Sequence, residues 1–173
     1  PYLTCDIDGF EVDIVPCYAI EEGQSIISAV DRTILHTRYI QKHLSKEQED
    51  EVLLLKKFMD AVGTYGSEFK TGGFAGYLCE LLILKYGTFE KTLRVAQNWK
   101  KHTEIDLEGY GTAGNAIFKD DPLVFIDPTD KNRNVGAALR MERYVDFIVA
   151  SRNFLAIVDD NELPGLKQYL RFL

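Results

Sequence analysis

Apolar and polar positions alternate at the start of the chain and then settle into a helical period. PYLTCDI and FEVDIV read as two strands joined at Asp8-Gly9. Asp-Gly between strand-like runs predicts a two-residue hairpin turn, because both central residues need positive φ. In the second strand Phe10, Val12 and Ile14 share one face and Glu11, Asp13 and Val15 the other. Pro16 ends the strand. Residues 26–44 read as an interrupted helix, with Thr33 capping ILHTRYIQKHL. That cap puts His36 in a first turn, near free N–H groups and the positive end of the dipole.

From residue 45 the pattern is mostly helical. SKEQEDEVLLLKKFMDAVG opens on Ser45 with acids in its first turn and ends at Gly63. Lys56 falls on its apolar stripe, four residues after Val52 and three before Met59. TYGSEFKTGG is a glycine-rich loop. FAGYLCELLILKY is a nearly all-apolar helix stopped by Gly87, which implies burial on most sides. TFEKTLRVAQNWKKH is a shorter amphipathic helix. EIDLEGYGTAGNAIFKDD reads as a strand and an exposed loop, PLVFIDP as a strand stopped by Pro128, and TDKNRN as a polar turn. VGAALRMERYVDFIVASRNFL reads as one long helix capped by Asn134, and a linker or new unit is expected from about Asp159. No internal repeat or low-complexity tract is visible.

With 46% hydrophobic residues the chain can bury a core, and its net charge of −7 is not the footprint of a general nucleic-acid binder. Charge is local, however: acids crowd at 6–22 and 47–51, bases at 91–101 and 131–143. Cys5, Cys17 and Cys79 lack metal-ligand spacing and sit among apolar residues, as reduced thiols of a cytoplasmic protein would. The most apolar run, FAGYLCELLILKYG, is too short to span a membrane and carries Glu80. The chain starts at Pro1, directly in a strand pattern, and a fragment of something longer is the expectation.

Each candidate for chemistry has a plain alternative. Asp13 is either a solvated strand residue or one arm of a metal site. His36 is either a surface histidine or a phosphate donor helped by a helix N-terminus; His43 and His102 are surface residues. Lys56 either snorkels from the stripe edge or is held in a cleft for an anion. Tyr65 and Lys70 lie in the loop just after that helix, where tyrosine can stack on a base, bond a phosphate or plug a core edge. Glu80, within the buried helix, needs a partner and is expected to cap or bridge a nearby loop. Arg133 precedes the expected cap of the long helix, suited to a phosphate or base edge or simply solvated. There is no P-loop, HExxH or CxxC motif.

Taken together, FEVDIVPCY, SAVDRTILHTRYI, EVLLLKKFMDAVGTYGSEFKTGGFAGYLCELLILKYG and VFIDPTDKNRNVGAAL resemble the archaeal, class I CCA-adding tRNA nucleotidyltransferases over about residues 1–155. The combination of YGSE, GYLCELL and IDP-x-D-x-x-RNV is far more specific than any single motif. The resemblance implies an α+β chain. Residues 1–45 would be the C-terminal β-hairpin part of a nucleotidyltransferase palm. Residues 46–157 would be a helical central nucleotide-binding domain, like that of poly(A) polymerases and oligoadenylate synthetases, and 158–173 a linker or the start of a tail domain. It implies CCA addition to the tRNA 3′ end from CTP and ATP, with Mg²⁺ and no nucleic-acid template. Asp13 would be the third catalytic carboxylate and a metal ligand. The Gly-Ser motif and carboxylate pair would lie upstream of Pro1, so this chain alone would be inactive. Thr33 and His36 would line the incoming nucleotide, Lys56 and Tyr65 hold its triphosphate, and Arg133 help read its base. The partner would be the tRNA acceptor stem and 3′ end, with a homodimer as one arrangement of the parent and no membrane. The chain departs from the family pattern at Ile34, where proline is usual, and at Gly72, where arginine is usual and a basic contact is lost. EGYGTAGNAIFKDD is also longer or looser than the pattern. An oligoadenylate synthetase or poly(A) polymerase relative and a non-catalytic helical binding module are the competing readings.

Overall fold

The computed structural model describes residues 3–19, 27–28 and 30–160, and for Asp160 the backbone alone. The chain divides into two units, Pro1–Lys42 and His43–Leu173. The linker expected from about Asp159 lies, from residue 161 on, outside the described residues, and before that the chain is helical.

In the first unit β1 (Leu3–Ile7) pairs antiparallel with β2 (Phe10–Ile14) in the register Leu3↔Ile14 to Ile7↔Phe10. Asp8 (φ 54°) and Gly9 (φ 83°) make the expected turn. Helix α1 runs from Asp31 to His43. It starts two residues before the expected cap at Thr33, because Asp31 sets its start. The buried Asp31 carboxylate accepts hydrogen bonds from the Ser28 and Ile27 amides (2.6 and 3.1 Å), the Ser28 hydroxyl (2.8 Å) and the Tyr18 amide (2.9 Å). Thr33 is therefore inside the first turn, its N–H bonded to Val30 O at 3.0 Å. His36 falls in the second turn, which removes the helix-terminus argument for it.

The second unit packs four helices against one another beside a small mixed sheet. Helix α2 (Lys46–Ala61) starts after Ser45, whose N–H donates to Gln48 Oε1 at 3.1 Å. Its inward stripe is Glu51, Val52, Leu55, Phe58 and Met59. Buried Glu51 is satisfied across the core: its Oε2 accepts the Phe89 N–H at 2.9 Å, at the start of the next helix but one. Helix α3 (Gly76–Tyr86) buries Leu78, Cys79, Leu81, Leu82 and Ile83 and stops at Gly87. Helix α4 (Phe89–Ala96) is capped by Thr88, whose hydroxyl accepts from Lys91 N. Helix α5 spans Met141–Asp160. Phe58 sits at the middle of the aromatic core, its ring centroid 5.5 Å from Phe89, 6.2 Å from Phe147 and 5.3 Å from Phe154, all edge-on.

The sheet has the order β3 (Thr103–Ile105), β4 (Leu123–Asp127), β5 (Asp130–Asn134), with β3–β4 parallel and β4–β5 antiparallel. TDKNRN is thus a strand and not a polar turn. Asn134 is not a helix cap either. Its Nδ2 donates to Asp121 Oδ2 (2.8 Å) and Leu123 O (2.9 Å), while its Oδ1 accepts from Phe125 N and Gly136 N (both 2.8 Å). An amide saturated in this way ties 135–136 to β4, so the long helix begins only at Met141. The stretch expected as an exposed loop is partly internal: Ala113 and Phe118 are buried with Val124 and Ile126.

Between α2 and α3 the glycine-rich loop folds back on itself. Gly66 N bonds to Phe74 O (2.9 Å), Gly73 N to Gly66 O (2.7 Å) and Phe74 N to Thr64 O (2.7 Å). A Cβ on Gly73 would overlap the Thr64 carbonyl. Gly73→Ala is expected to cost about 2 kcal/mol or more, read as a lower urea midpoint. An unchanged midpoint would contradict the close approach.

Candidate nucleotide-binding site

Three elements of the second unit meet where the loop closes. Lys56 leaves the apolar stripe of α2 and donates to Glu80 Oε1 on α3 at 2.8 Å, with both side chains about a quarter exposed (25% and 26%). Glu80 therefore bridges two helices and not a loop. Burial pulls the Lys56 ammonium down, but the hydrogen bond and charge of Glu80 outweigh it, and its pKa lies above the ordinary value. Tyr65 is pushed up mainly by burial, with Lys56 pulling the other way, so it remains a phenol with a proton to donate.

Gly76, the first residue of α3, faces both groups. A Cβ placed there would be 3.2 Å from Tyr65 Oη and 3.6 Å from Lys56 Nζ. No side chain caps this helix. A cation, a phenol and an uncapped helix N-terminus therefore converge on a spot kept open by a missing side chain. Each is a donor of a kind suited to a polyphosphate. Cys79 lies directly beneath, fully buried, with its Sγ 3.4 Å from Met59 Sδ.

Arg133 belongs to β5, not to a helix entrance. Its Nη1 donates to Asp127 Oδ2 at 2.7 Å. Asp127 is fully buried and also accepts the N–H and hydroxyl of Thr129 at 2.9 and 2.8 Å. The fork of Arg133 is thus held from behind by a fixed carboxylate.

Asp13, Thr33 and His36 lie in the first unit. Asp13 is exposed on β2 and accepts the Thr4 hydroxyl at 2.7 Å. Thr33 is exposed and His36 half-buried on α1. Among the described residues no group of three His, Cys, Asp or Glu is placed to hold a metal ion. Asp13 alone would offer a Mg²⁺ ion one carboxylate, too little by itself to hold it.

Lys56 and Tyr65 stand out in the sequence, but the pattern puts the helix dipole at His36. The structure puts an uncapped helix end at Gly76 instead. A glycine opening an otherwise strongly apolar helix was the available signal, since glycine is a poor helix former. The support of Arg133 by Asp127 was not legible, because TDKNRN carries no strand pattern.

The second unit is thus an α+β body that presents a helix end, a lysine and a tyrosine to one open corner. Residues 50–162 match the family model described as tRNA nucleotidyltransferase, second domain. The chain belongs to that family. It is 60% identical over 155 residues to a CCA-adding enzyme of Methanothermobacter thermautotrophicus, covering 90% of this chain and 34% of that protein. It is 49% identical to a CCA-adding enzyme of Methanocaldococcus jannaschii (90% and 36% covered) and 47% to one of Thermoplasma volcanium (90% and 34%). The chain spans about a third of the length of these relatives.

Burial pushes the Cys79 thiol up to about 12 from its ordinary 9.0. Because the neutral thiol is favoured in the folded state, this contribution to stability is intact below pH 9.0 and fades as pH rises from there toward about 12. At pH 8 a thiol reagent is expected to modify exposed Cys17 rapidly and Cys79 only after denaturation. Rapid reaction of Cys79 in the native protein would contradict the packing of α3 on α2.

Proposed function

We propose that this chain is the nucleotide-holding part of a CCA-adding tRNA nucleotidyltransferase, acting in the cytoplasm on the acceptor stem and 3′ end of tRNA with CTP and ATP. The observation that carries this is the convergence of Lys56 Nζ, Tyr65 Oη and the uncapped α3 N-terminus at Gly76. These groups bind the triphosphate and orient the nucleotide for attack of the tRNA 3′ hydroxyl on its α-phosphate. Glu80 occupies one of the three ammonium donors of Lys56 and aims the others. Arg133, backed by Asp127, offers its remaining fork to the edge of the incoming base. Thr33 and His36 line the nucleotide, residues 1–45 and 46–157 are the palm and central segments, and 158–173 are a linker or the start of a tail domain.

Asp13 is one ligand of a Mg²⁺ site, where the metal would neutralise charge on the phosphates. The described residues offer no completed site. With one such carboxylate, the chain incubated with tRNA lacking CCA, CTP, ATP and Mg²⁺ is expected to incorporate nothing. Robust incorporation would contradict the reading of this chain as one part of a larger catalytic unit.

Lys56→Ala is expected to weaken CTP binding by roughly tenfold or more, the usual worth of a charge-assisted hydrogen bond. Calorimetric titration of CTP reads this directly. An unchanged affinity would remove Lys56 from the triphosphate site.

A further inference from the structure

The loop that delivers Tyr65 also carries Phe69, which is 91% exposed. No other described large apolar side chain is as exposed. Its ring is nevertheless held. The Arg140 guanidinium lies over it, 5.0 Å from the centroid, and Arg140 Nη2 donates to the Phe69 carbonyl at 2.6 Å. The Arg140 N–H also bonds to Gly72 O at 2.8 Å. Gly72 makes this possible. It has φ +60°, and a Cβ there would stand 2.6 Å from the Arg140 Cδ. The bare glycine is the slot through which the Arg140 stem crosses the loop. Arg143 braces the same loop, its Nε 3.4 Å from Thr71 O, and Lys70 is exposed next to Phe69.

Solvent is a poor environment for a phenyl ring, and the loop gains nothing by leaving it there. A ring gripped on one face by a guanidinium, with the rest open and cations around it, has the chemistry of a base-stacking platform. Unpaired bases stack on such rings, while neighbouring lysine and arginine engage the phosphates. Glu68, the acid of this loop, is turned back over Gly66, where a Cβ would lie 2.5 Å from its Oε2. The net charge of −7 makes this basic, aromatic corner the more distinctive.

We propose that Phe69, clamped by Arg140 across Gly72, stacks on an unpaired base of single-stranded RNA, and that Lys70 contacts its backbone. The inference rests on the tRNA-directed reading above and adds to it a strand contact on the same loop as Tyr65. The occupant is an RNA strand and not a free nucleotide, because the triphosphate donors lie at Gly76 and not at Phe69.

The test titrates the protein with an RNA minihelix carrying an unpaired 3′ overhang and with its blunt counterpart, alongside a CTP titration of the unaltered protein. Phe69→Trp is expected to retain binding, with its indole emission quenched by the overhang RNA. The native Trp99, buried and stacked on Tyr144, supplies the control signal. Phe69→Ala is expected to lower affinity for the overhang RNA by roughly tenfold, with circular dichroism unchanged, and to leave the weaker blunt-RNA affinity as it was. The proposal is overturned if overhang and blunt RNA bind alike, or if Phe69→Ala binds as the unaltered protein does and the introduced indole is not quenched. Quenching by CTP alone, without RNA, would equally overturn it, by making Phe69 part of the nucleotide site. If CTP fails to bind while the overhang RNA quenches the introduced indole of Phe69→Trp, the strand contact stands and the nucleotide-holding reading falls.

Discussion

The carbonyl oxygen of Thr64 occupies the space where a side chain on residue 73 would begin. Because residue 73 is glycine, the loop can close with Phe74 N on Thr64 O and Gly66 N on Phe74 O, and Phe74 can bury completely. Closure fixes Tyr65, which bridges to Phe74 as an isolated ladder pair, against the first turn of α3. The same closure stations Phe69 and Gly72 under Arg140. Two different surfaces thus depend on one backbone approach, and neither could be built from a loop that only happened to be flexible.

The ion pair of Lys56 and Glu80 plays a different part. A pair this exposed contributes little to stability, since water screens the attraction and two long side chains lose freedom in making it. Its value is directional. Lysine alone is a mobile point charge on a flexible stem. Anchored by Glu80, it keeps its ammonium beside Tyr65 Oη and the Gly76 corner. The cohesion comes from elsewhere, from the Phe58–Phe89–Phe147–Phe154 cluster and the α3 leucines packed beneath. Asp127 and Arg133 repeat the device in the sheet, with a fully buried acid directing a half-exposed base.

Where sequence signals were local, they were readable. Asp8-Gly9 gave the hairpin because its turn chemistry is self-contained, and Ser45 and Gly63 bracketed α2 for the same reason. The misreadings arose where a polar side chain had a distant partner. Thr33 looked like a cap because Asp31, which takes the local Ile27 and Ser28 amides, also reaches the Tyr18 amide 13 residues away, and that contact leaves no mark on the periodicity. Asn134 looked like a cap because its bonds to Asp121 and Leu123 are tertiary. TDKNRN looked like a turn because an edge strand can be polar throughout when its pairing, not its side chains, holds it. Lys56 stood out as a charge on an apolar stripe, and Tyr65 by its place in the loop. The helix end at Gly76 did not, since only the fold brings it to them.

In the proposed function, Lys56, Tyr65 and the first amides of α3 act as one anion-binding corner. Backbone amide NMR of the protein, titrated with CTP and Mg²⁺, tests it most directly. The largest shifts are expected on the amides of Gly76, Tyr77, Leu78 and Tyr65, saturating together. Saturating shifts elsewhere that leave those four amides unmoved would contradict it.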